Sequence, residues 1–236
     1  MKVAVMQPYF FPYIGYFQLM HAVDCFVFYD DAQYMKGGWV NRNRILLDGA
    51  PRWWTYAVAH DDYRLPIASR RYDRSPSRDR SLLDKLQTSY RHAPHYAAAM
   101  ATVAGALEGD EARVSALNEQ LLRRTAAGLD IGCRFVRSSE VVQDRSLSGE
   151  ARVIELCRRL GATQYINAIG GRALYHQNEF ALAGLELAFL QPRPLAYAQF
   201  DHAHVPFLSI VDVLMFNPPT GARAMLGAFD IVAPLQ

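Results

Sequence analysis

The chain has 236 residues and nearly balanced charge, with 25 Lys and Arg against 23 Asp and Glu and a formal net charge of +2. It lacks the basic excess of proteins that bind nucleic acid mainly through phosphates, so we expect no nucleic-acid partner. With 51% hydrophobic and 20% charged residues, its composition excludes a disordered chain. At roughly 100–200 residues per domain, the length predicts a single domain over residues 1–236.

The N-terminal segment MKVAVMQPYFFPYIGYF does not have the pattern of a targeting sequence, because Gln7, Pro8 and Pro12 interrupt its apolar residues. No apolar run reaches the roughly 18 residues of a membrane-spanning helix. The three cysteines are widely separated and form no C-x-x-C motif. His202 and His204 lack a third ligand nearby, so we expect no metal site. These features predict a cytoplasmic protein with reduced thiols and no membrane span.

The first elements in chain order predict a βαβ unit. KVAVM (2–6) is an apolar run that ends at a proline, residues 15–23 have helical spacing, and CFVFYD (25–30) is a second apolar run. Two continuous apolar strands joined through a helix indicate a parallel sheet that is covered on both faces.

The middle of the chain predicts a hairpin, a loop and a helical block. Residues 43–60 contain two apolar segments around the turn Asp48-Gly49. The arginine-rich segment 69–81 has no apolar periodicity and indicates a surface loop. Residues 82–128 have helical patterns broken at Pro94 and near Gly109, which predicts about three helices that form an insertion or a cap.

The last third predicts a βαβαβ unit followed by short helices. We expect strands at 132–140, 165–171 and 185–192, and helices at 148–160, 172–184, 209–216 and 222–229. Alternating strands and helices at both ends of the chain favour an α/β fold. We expect an open, mainly parallel, Rossmann-like sheet of the nucleotide-binding type, with a β-hairpin and a helical insertion.

The loop QPYFFPYIGY (7–16) is the first candidate for ligand binding, because it leaves strand one where an open α/β sheet binds its ligand. A glycine at the start of the next helix would allow close approach of an anion to the helix amides. A loop that only packs on the sheet is the alternative. The candidate substrate-binding residues are Gln7, Tyr9, Tyr13, Gly15 and Tyr16.

The segment YDDAQYMKGGWVNRNR (29–44) has the highest density of chemically distinct groups. Alternation along a strand places two arginines on one face, suited to clamp a phosphate or carboxylate, and asparagine on the other, suited to a sugar. The alternative is a surface network between the arginines and the aspartates. The candidate catalytic residues are Asp30, Asp31 and Lys36, and the candidate binding residues are Gln33, Tyr34, Trp39, Asn41, Arg42, Asn43 and Arg44.

Two later segments supply further candidates. YINAIGGRALY (165–175) places an asparagine and a glycine pair between a strand and a helix, which is typical of an anion cradle and equally of a tight turn. In the segment 200–219, a serine and an aspartate three residues later fit a helix cap as well as a binding role. The candidates are Asn167, Gly170, Gly171, Ser209, Asp212 and Asn217.

Four of these stretches also resemble a known family. MQPYFFPYIGYFQL, YDDAQYMKGGWVNRNRIL, GATQYINAIGG with LY, and PFLSIVDVLMFN are similar to the WbqC-like proteins of bacterial surface-polysaccharide gene clusters. The resemblance runs almost end to end and is weakest in the arginine-rich segment 69–81 and the alanine-rich helices after Pro94. It implies glycine transfer to amino sugars, as in O-antigen synthesis, because family members are commonly described as glycine transferases.

The first βαβ unit also resembles that of adenylylating enzymes such as pantothenate synthetase. There, a proline-rich loop with a His-x-Gly-His motif holds ATP at the start of the helix. Here the corresponding positions are Tyr13-Ile14-Gly15-Tyr16, so the glycine is kept and both histidines are tyrosines. Tyrosine hydroxyls donate hydrogen bonds to an oxyanion but are uncharged at neutral pH.

Three functions follow as hypotheses. The first is a transferase that acylates an amino group of a sugar or related small molecule, with Asp30 or Asp31 as general base and the cations holding the phosphates of a nucleotide-linked acceptor. The others are an ATP-dependent adenylate-forming ligase and a non-catalytic protein that binds a glycan or nucleotide sugar. The sequence indicates a small-molecule substrate and leaves the cofactor and the oligomeric state unknown.

The predicted parallel sheet also makes a geometric prediction. Loops that leave the carboxyl ends of neighbouring parallel strands share one edge of the sheet. We therefore expect one cleft that contains Gln7, Gly15, Asp30, Asn43, Asn167 and Gly170, with Arg42 or Arg44 pointing into it and Trp39 or Tyr34 as a wall.

Overall fold

The computed structural model describes residues 1–62, 64–142, 144, 146–201 and 203–234. Its strands are β1 (Lys2–Met6), β2 (Cys25–Phe28), β3 (Arg42–Leu47), β4 (Ala50–Thr55), β5 (Arg134–Arg137), β6 (Gln164–Ala168), β7 (Glu186–Pro192) and β8 (Phe229–Val232). Its α-helices are α1 (Ile14–Ala22), α2 (Pro76–Tyr90), α3 (Tyr96–Leu107), α4 (Val114–Gly128), α5 (Ser138–Val141), α6 (Gly149–Arg159), α7 (Gln177–Leu182), α8 (Ile210–Phe216) and α9 (Pro219–Ala224). Short 3-10 helices occupy Ile67–Ser69, Ile169–Leu174 and Met225–Gly227.

Six of these strands form one sheet in the order β5-β2-β1-β6-β7-β8. All neighbours pair in parallel except β8, which runs antiparallel to β7. If only the strands of this sheet are counted along the chain, the order is 3-2-1-4-5-6, which is the order of a Rossmann fold. The predicted α/β class with a mainly parallel sheet is confirmed.

The sheet is covered on both faces because its central strands carry apolar side chains on both sides. In β1, Ala4 packs in the cluster that includes α1, the hairpin and α2–α4, whereas Val3 and Val5 pack in the cluster that includes α6 and α7. β2 is buried along its whole length. These continuous apolar strands are typical of a parallel sheet between two helical layers.

The hairpin β3-β4 forms a separate two-stranded sheet. Asp48 and Gly49 connect its strands and both have positive φ, at 52° and 68°. Two consecutive residues in this region form the type I′ turn that suits the twist of a two-residue hairpin, and Asp-Gly is a preferred pair for it. The turn predicted at these residues is therefore confirmed.

The helix α2 contacts the hairpin, α3 packs on α8, and α4 packs on α3 and on the 3-10 helix Ile67–Ser69. Arg123 of α4 also lies over the rings of Phe28 in β2 and Phe135 in β5. Asn118 of α4 donates hydrogen bonds from Nδ2 to the backbone oxygens of Pro8, at 2.8 Å, and Val40, at 2.6 Å. None of the residues 82–128 lines either of the two cavities described below. We therefore interpret this block as a support for the hairpin and the first loop.

Four local predictions differ from the structure. The strand predicted at 132–140 ends at Arg137, and Ser138–Val141 form the short helix α5. The segment 69–81 is not a loop throughout, because Ser75 caps α2 and Pro76 starts it, a favourable pair for a helix N-terminus. The helix predicted at 172–184 is split into a 3-10 turn and the short α7. The helix predicted at 222–229 is instead the end of α9 followed by a 3-10 turn, and residues 229–232 form the edge strand β8 by pairing with β7.

Candidate functional site

A cavity of about 720 Å³ opens at the carboxyl ends of β1 and β6. From β1 the chain continues to β2 on one side, and from the neighbouring β6 it continues to β7 on the other side. Such a switch point is where open α/β sheets bind ligands. The volume lies within the range of roughly 300–1,000 Å³ found for small-molecule sites. We call it the main cavity.

Four tyrosines line the main cavity: Tyr9, Tyr13, Tyr29 and Tyr175. Burial raises the pKa of each phenol above its usual value, and for Tyr9 the neighbouring phenols of Tyr13 and Tyr175 raise the pKa further. These hydroxyls therefore stay protonated at neutral pH and remain donors. The walls combine aromatic faces with neutral hydrogen-bond donors, as many sugar-binding sites do.

Arg44 is the single cation among the described residues that line the main cavity. Its guanidinium lies 5.8 Å from the ring centroid of Trp39, and one terminal nitrogen donates to the Phe207 backbone oxygen at 3.3 Å. Its Nε is buried without a hydrogen-bond partner, and no carboxylate of the described chain pairs with it. A guanidinium in this state is available to bind the phosphate or carboxylate of a ligand.

Glu150 is the one acidic side chain in the same described lining. It lies in the first turn of α6 and accepts hydrogen bonds from the backbone nitrogen of His176 and, at 3.1 Å, from the ring atom Nδ1 when that atom carries the proton. The His176 ring is largely exposed. The Glu150 carboxylate therefore lies at the cavity wall with the His176 imidazole beside it. In this position the carboxylate is able to accept a proton from a bound ligand.

Amide side chains provide the remaining polar groups. Gln7 follows β1, lines the cavity and makes no side-chain hydrogen bond to any described residue. Asn167 is the penultimate residue of β6, and its Oδ1 accepts from the Ala168 nitrogen at 2.7 Å. Its side chain packs so closely on Gly171 that a Cβ there would lie 2.9 Å from Nδ2. The glycine is therefore required for the position of Asn167.

One wall of the cavity contains a strained residue. Phe207 is exposed, has a φ of 58°, and packs edge to face on Tyr13 at 6.1 Å between ring centroids. A positive φ is uncommon for a bulky residue, and such strain is concentrated at functional sites. Together with Trp39, this ring gives the cavity an aromatic rim.

The structure sorts the predicted site residues into three groups. Nine line the main cavity: Gln7, Tyr9, Tyr13, Trp39, Asn43, Arg44, Asn167, Gly170 and Gly171. Four line a second cavity: Tyr34, Lys36, Asn41 and Arg42. Eight line neither: Gly15, Tyr16, Asp30, Asp31, Gln33, Ser209, Asp212 and Asn217.

Asp30 and Asp31 are both engaged in contacts between β2 and the segment after β5. Asp30 accepts from the hydroxyls of Ser138, at 3.0 Å, and Ser139, at 2.7 Å. Asp31 pairs with the buried guanidinium of Arg152 and also accepts from Ser138. These contacts favour a structural role. The catalytic role predicted for the two carboxylates stays a prediction.

Asn41 and Asn43 are buried and use their amides inside the protein. Asn43 donates to the backbone oxygen of Phe11 at 2.9 Å, and Asn41 donates to that of Tyr56 at 2.8 Å. Tyr34 donates to Asn41 at 3.0 Å. Both asparagines therefore hold backbone, and the sugar contact predicted for them stays a prediction.

The other residues outside the cavities also have defined contacts. Tyr16 donates to the Gln7 backbone oxygen at 2.7 Å. Ser209 caps α8 and donates to the Phe11 oxygen at 2.7 Å, while Asn217 ends the same helix. Gln33 forms a bridge with Pro66. Gly15 lies in the first turn of α1, and Asp212 is buried in a network of hydroxyl and amide donors.

Sequence reasoning missed several residues of the main cavity, namely Tyr29, Gly149, Glu150, Leu174, Tyr175 and Phe207. Glu150 was interpreted as part of a helix start, since a first-turn carboxylate is favourable there. Its position at the carboxyl end of β1 depends on how α6 packs across the sheet. Tyr175 could have been identified from the sequence, because it belongs to the dipeptide LY in a stretch that carries the family resemblance.

Within the described chain, no group of three or more His, Cys, Asp and Glu side chains is arranged to hold a metal ion. His202 lies outside the described residues. Burial raises the pKa of the Cys133 and Cys157 thiols to about 12, which makes them poor nucleophiles. In the same described ranges, no helix is long and apolar enough to cross a membrane.

Comparisons with known proteins place the chain in a family. The WbqC-like protein family matches residues 7–224. An uncharacterized protein of Mycobacterium tuberculosis is 30% identical over 230 residues, which cover 94% of this chain and 95% of that protein. No solved structure matches the chain. The match over almost the whole length shows that this chain belongs to the WbqC-like protein family.

Proposed function

We propose that the protein is a transferase that acylates the amino group of a nucleotide-linked amino sugar, by glycyl or other aminoacyl transfer, in surface-polysaccharide synthesis. The observation that carries this proposal is that one guanidinium without an ion pair, Arg44, and one carboxylate, Glu150, line the same tyrosine-rich cavity at the switch point of the sheet. The predicted cytoplasmic location is part of the proposal.

The lining of the main cavity fits such an acceptor. Aromatic faces such as Trp39 and Tyr9 are suited to stack on a sugar ring or a base. The free amide of Gln7 and the phenolic hydroxyls are suited to the sugar hydroxyls. Arg44 is the group that would hold a phosphate or carboxylate. A cavity of about 720 Å³ has room for a sugar and part of a nucleotide.

The chemistry requires a neutral amine and a base. The amine nitrogen attacks the carbonyl carbon of the acyl donor and forms the new C–N bond, and the carbonyl electrons move onto oxygen. When the carbonyl re-forms, the bond to the leaving group breaks and its electron pair goes with that group. The amine proton passes to Glu150, and the protonated tyrosine hydroxyls are suited to donate to the oxyanion.

Glu150 is our choice for the base because Asp30 and Asp31 are held by Ser138, Ser139 and Arg152 away from the cavity lining. The adenylate-forming ligase has less support, because the main cavity offers a single described cation for a triphosphate.

The test incubates the protein with nucleotide-linked amino sugars and with glycine as a thioester, as an ester, or free with ATP, and follows the acceptor mass. We expect a glycyl mass gain with an activated donor. Product only with ATP and with pyrophosphate release would identify the ligase. Binding of an acceptor without product from any donor would identify the non-catalytic protein and overturn the proposal.

Separate substitutions test the assignment of Glu150 as the general base. Glu150→Gln should lower kcat by a factor of about 10²–10⁴ with little change in KM, as for loss of a general base. Glu155→Gln, on the same helix but outside the cavity, is the matched control. If Asp30→Asn or Asp31→Asn folds normally and loses activity while Glu150→Gln keeps it, the base is one of the aspartates.

A further inference from the structure

A second cavity of about 510 Å³ lies beside the hairpin. The segment after β2, the end of β4 and the segment that follows β4 form its walls. It shares no lining residue with the main cavity. The proposed function assigns no role to this cavity, although it contains four of the residues that the sequence singled out.

Arg70 is the unusual residue of the second cavity. The residue is only 5% exposed, and its terminal nitrogens donate to the backbone oxygens of Asp62 and Ala59, both at 2.8 Å. Its Nε is buried and has no hydrogen-bond partner. The guanidinium also lies 4.9 Å from the ring centroid of Tyr34. A buried cation with carbonyl and ring contacts but no ion pair is costly unless an anion joins it.

Two further cations line the same space. Arg42 donates from Nε to the Gly38 oxygen at 3.1 Å and from a terminal nitrogen to the Gly37 oxygen. Its guanidinium lies over the Trp53 ring, with 4.0 Å from its carbon to the ring centroid, and together these contacts restrict its orientation. Lys36 is exposed at the cavity edge. In the described part of the chain, no carboxylate lies within ion-pair distance of either cation or of Arg70.

The acidic groups nearby do not neutralise these charges. Asp61 lines the cavity but is exposed, and its carboxylate accepts from the backbone nitrogen of Asp62 at 2.8 Å. Asp62 pairs with Arg64 at 3.1 Å. The lining therefore carries three cations and one carboxylate, which leaves two positive charges.

We propose that the second cavity binds a small molecule through its phosphate or pyrophosphate group, with Arg70 at the base of the site, Arg42 beside it and Lys36 at the entrance. The restricted orientation of Arg42 suits two parallel hydrogen bonds to phosphate oxygens. A group with two negative charges matches the excess of the lining better than a single carboxylate does.

The second site is separate from the proposed transferase site. Trp39 lines the main cavity, and it packs on Trp53 at 5.4 Å between ring centroids, while Trp53 packs on Arg42. Arg42 and Arg44 alternate along β3 but belong to different cavities. Phosphate binding at the second site therefore depends on neither the acyl acceptor nor Glu150.

The test is titration calorimetry with pyrophosphate at low ionic strength, where the charge of exposed Lys36 is least screened. We expect binding to the unmodified protein. Arg42→Gln should weaken it about tenfold or more, the effect of losing a hydrogen bond between charged groups. Lys36→Met should weaken binding less, because the lysine is exposed. Arg70→Met should also weaken it, provided that its circular dichroism spectrum shows a folded protein.

Two matched controls make the test decisive. Lys85→Met and Arg80→Gln each remove an exposed cation from α2, outside both cavities. Neither should weaken pyrophosphate binding. The proposal is overturned if pyrophosphate does not bind at millimolar concentration, if Arg44→Gln in the main cavity abolishes binding while Arg42→Gln does not, or if the two controls weaken binding as much as Arg42→Gln does.

Discussion

Gly15 leaves room for a neighbouring aromatic side chain. A Cβ at Gly15 would lie 2.3–2.6 Å from three atoms of the Tyr13 phenol, so the glycine leaves room for that ring. Tyr13 precedes α1, lies over its first turn, and lines the main cavity. The close approach that the glycine allows is therefore that of the protein's own tyrosine.

Gly15→Ala should displace the Tyr13 ring with little loss of stability, because alanine is the better helix residue by roughly 0.5–1 kcal/mol. The NMR signals of labelled tyrosines measure the displacement. Gly128→Ala, where a Cβ would meet no atom within 4 Å, is the control. An unchanged Tyr13 signal in Gly15→Ala would contradict this account.

Asp212 is a second residue whose role the structure defines. It is fully buried and accepts from Tyr90 at 2.8 Å, Tyr197 at 2.6 Å and Gln199 at 2.7 Å. Burial raises the pKa of this carboxyl above its usual value, although these donors act in the opposite direction. The two carboxylate oxygens of Asp212 therefore connect α8 with α2 and with the segment before α8.

Asp212→Ala should lower the free energy of unfolding by about 3 kcal/mol, because three buried donors lose their acceptor. Since the folded pKa is raised, the stability that Asp212 contributes is fully present below its unfolded pKa and declines as pH rises through the folded pKa. The difference between the two proteins should therefore shrink with rising pH. Urea unfolding at several pH values measures it, and a difference that grows with pH would contradict the assignment.

At the scale of elements, the loop between β1 and α1 has no regular structure but is held at almost every carbonyl. Asn118 binds the oxygen of Pro8, Asn43 binds that of Phe11, and Ser209 binds the Phe11 oxygen from the other side. These three side chains come from α4, β3 and the start of α8. Buried backbone oxygens need such partners, so three distant elements fix the shape of the cavity wall.

Asn43→Ala should lower the free energy of unfolding by about 2 kcal/mol, since it leaves buried backbone groups without partners. It should also weaken ligand binding in the main cavity, because the loop carries Tyr9 and Tyr13. Urea unfolding followed by circular dichroism measures the first effect. Asn178→Ala, at an exposed position of α7, should change stability by less than about 0.5 kcal/mol. Equal losses in the two variants would refute the role of Asn43.

At the scale of the whole molecule, the helical block α2–α4 and one face of the sheet share a continuous apolar cluster. Leu86 of α2 and Leu121 of α4 belong to the same cluster as Phe17 of α1 and Phe28 of β2. A shared core favours one cooperative unit over a sheet domain with a separate helical domain. This is the physical basis for proposing a single domain over residues 1–236.

The arrangement of tryptophans makes this proposal testable. Trp39, Trp53 and Trp54 all lie in or beside the hairpin, so tryptophan fluorescence reports that region, while far-UV circular dichroism reports every helix and strand. We expect the two urea transitions to coincide within error, as for a two-state domain. Separate midpoints would show that the hairpin and its helices unfold apart from the sheet.

The sequence by itself determined the secondary structure around the sheet and the loops that carry the ligand groups. An apolar run that ends at a proline defines β1, an apolar run between two aspartates defines β2, and the segment YINA before a glycine pair defines β6. In β3, buried Asn43 lies between the half-buried Arg42 and Arg44, as strand alternation predicts. These features are local, because strand period and turn chemistry depend on adjacent residues. The edge strand β8 was missed because pairing with β7, not its own sequence, makes it a strand.

Only the tertiary structure decided which of the polar residues face a ligand. Arg42 and Arg44 are two residues apart on one strand face, yet they belong to different cavities because Trp53 packs on Arg42 and Trp39 packs on Arg44, and the two tryptophan rings contact each other. Asp30 follows β2 as a catalytic carboxylate would, but Ser138 and Ser139, more than a hundred residues later, donate hydrogen bonds to its oxygens. Sequence spacing fixes the side of a strand on which a residue lies, whereas what it meets there depends on chain segments that only folding brings together.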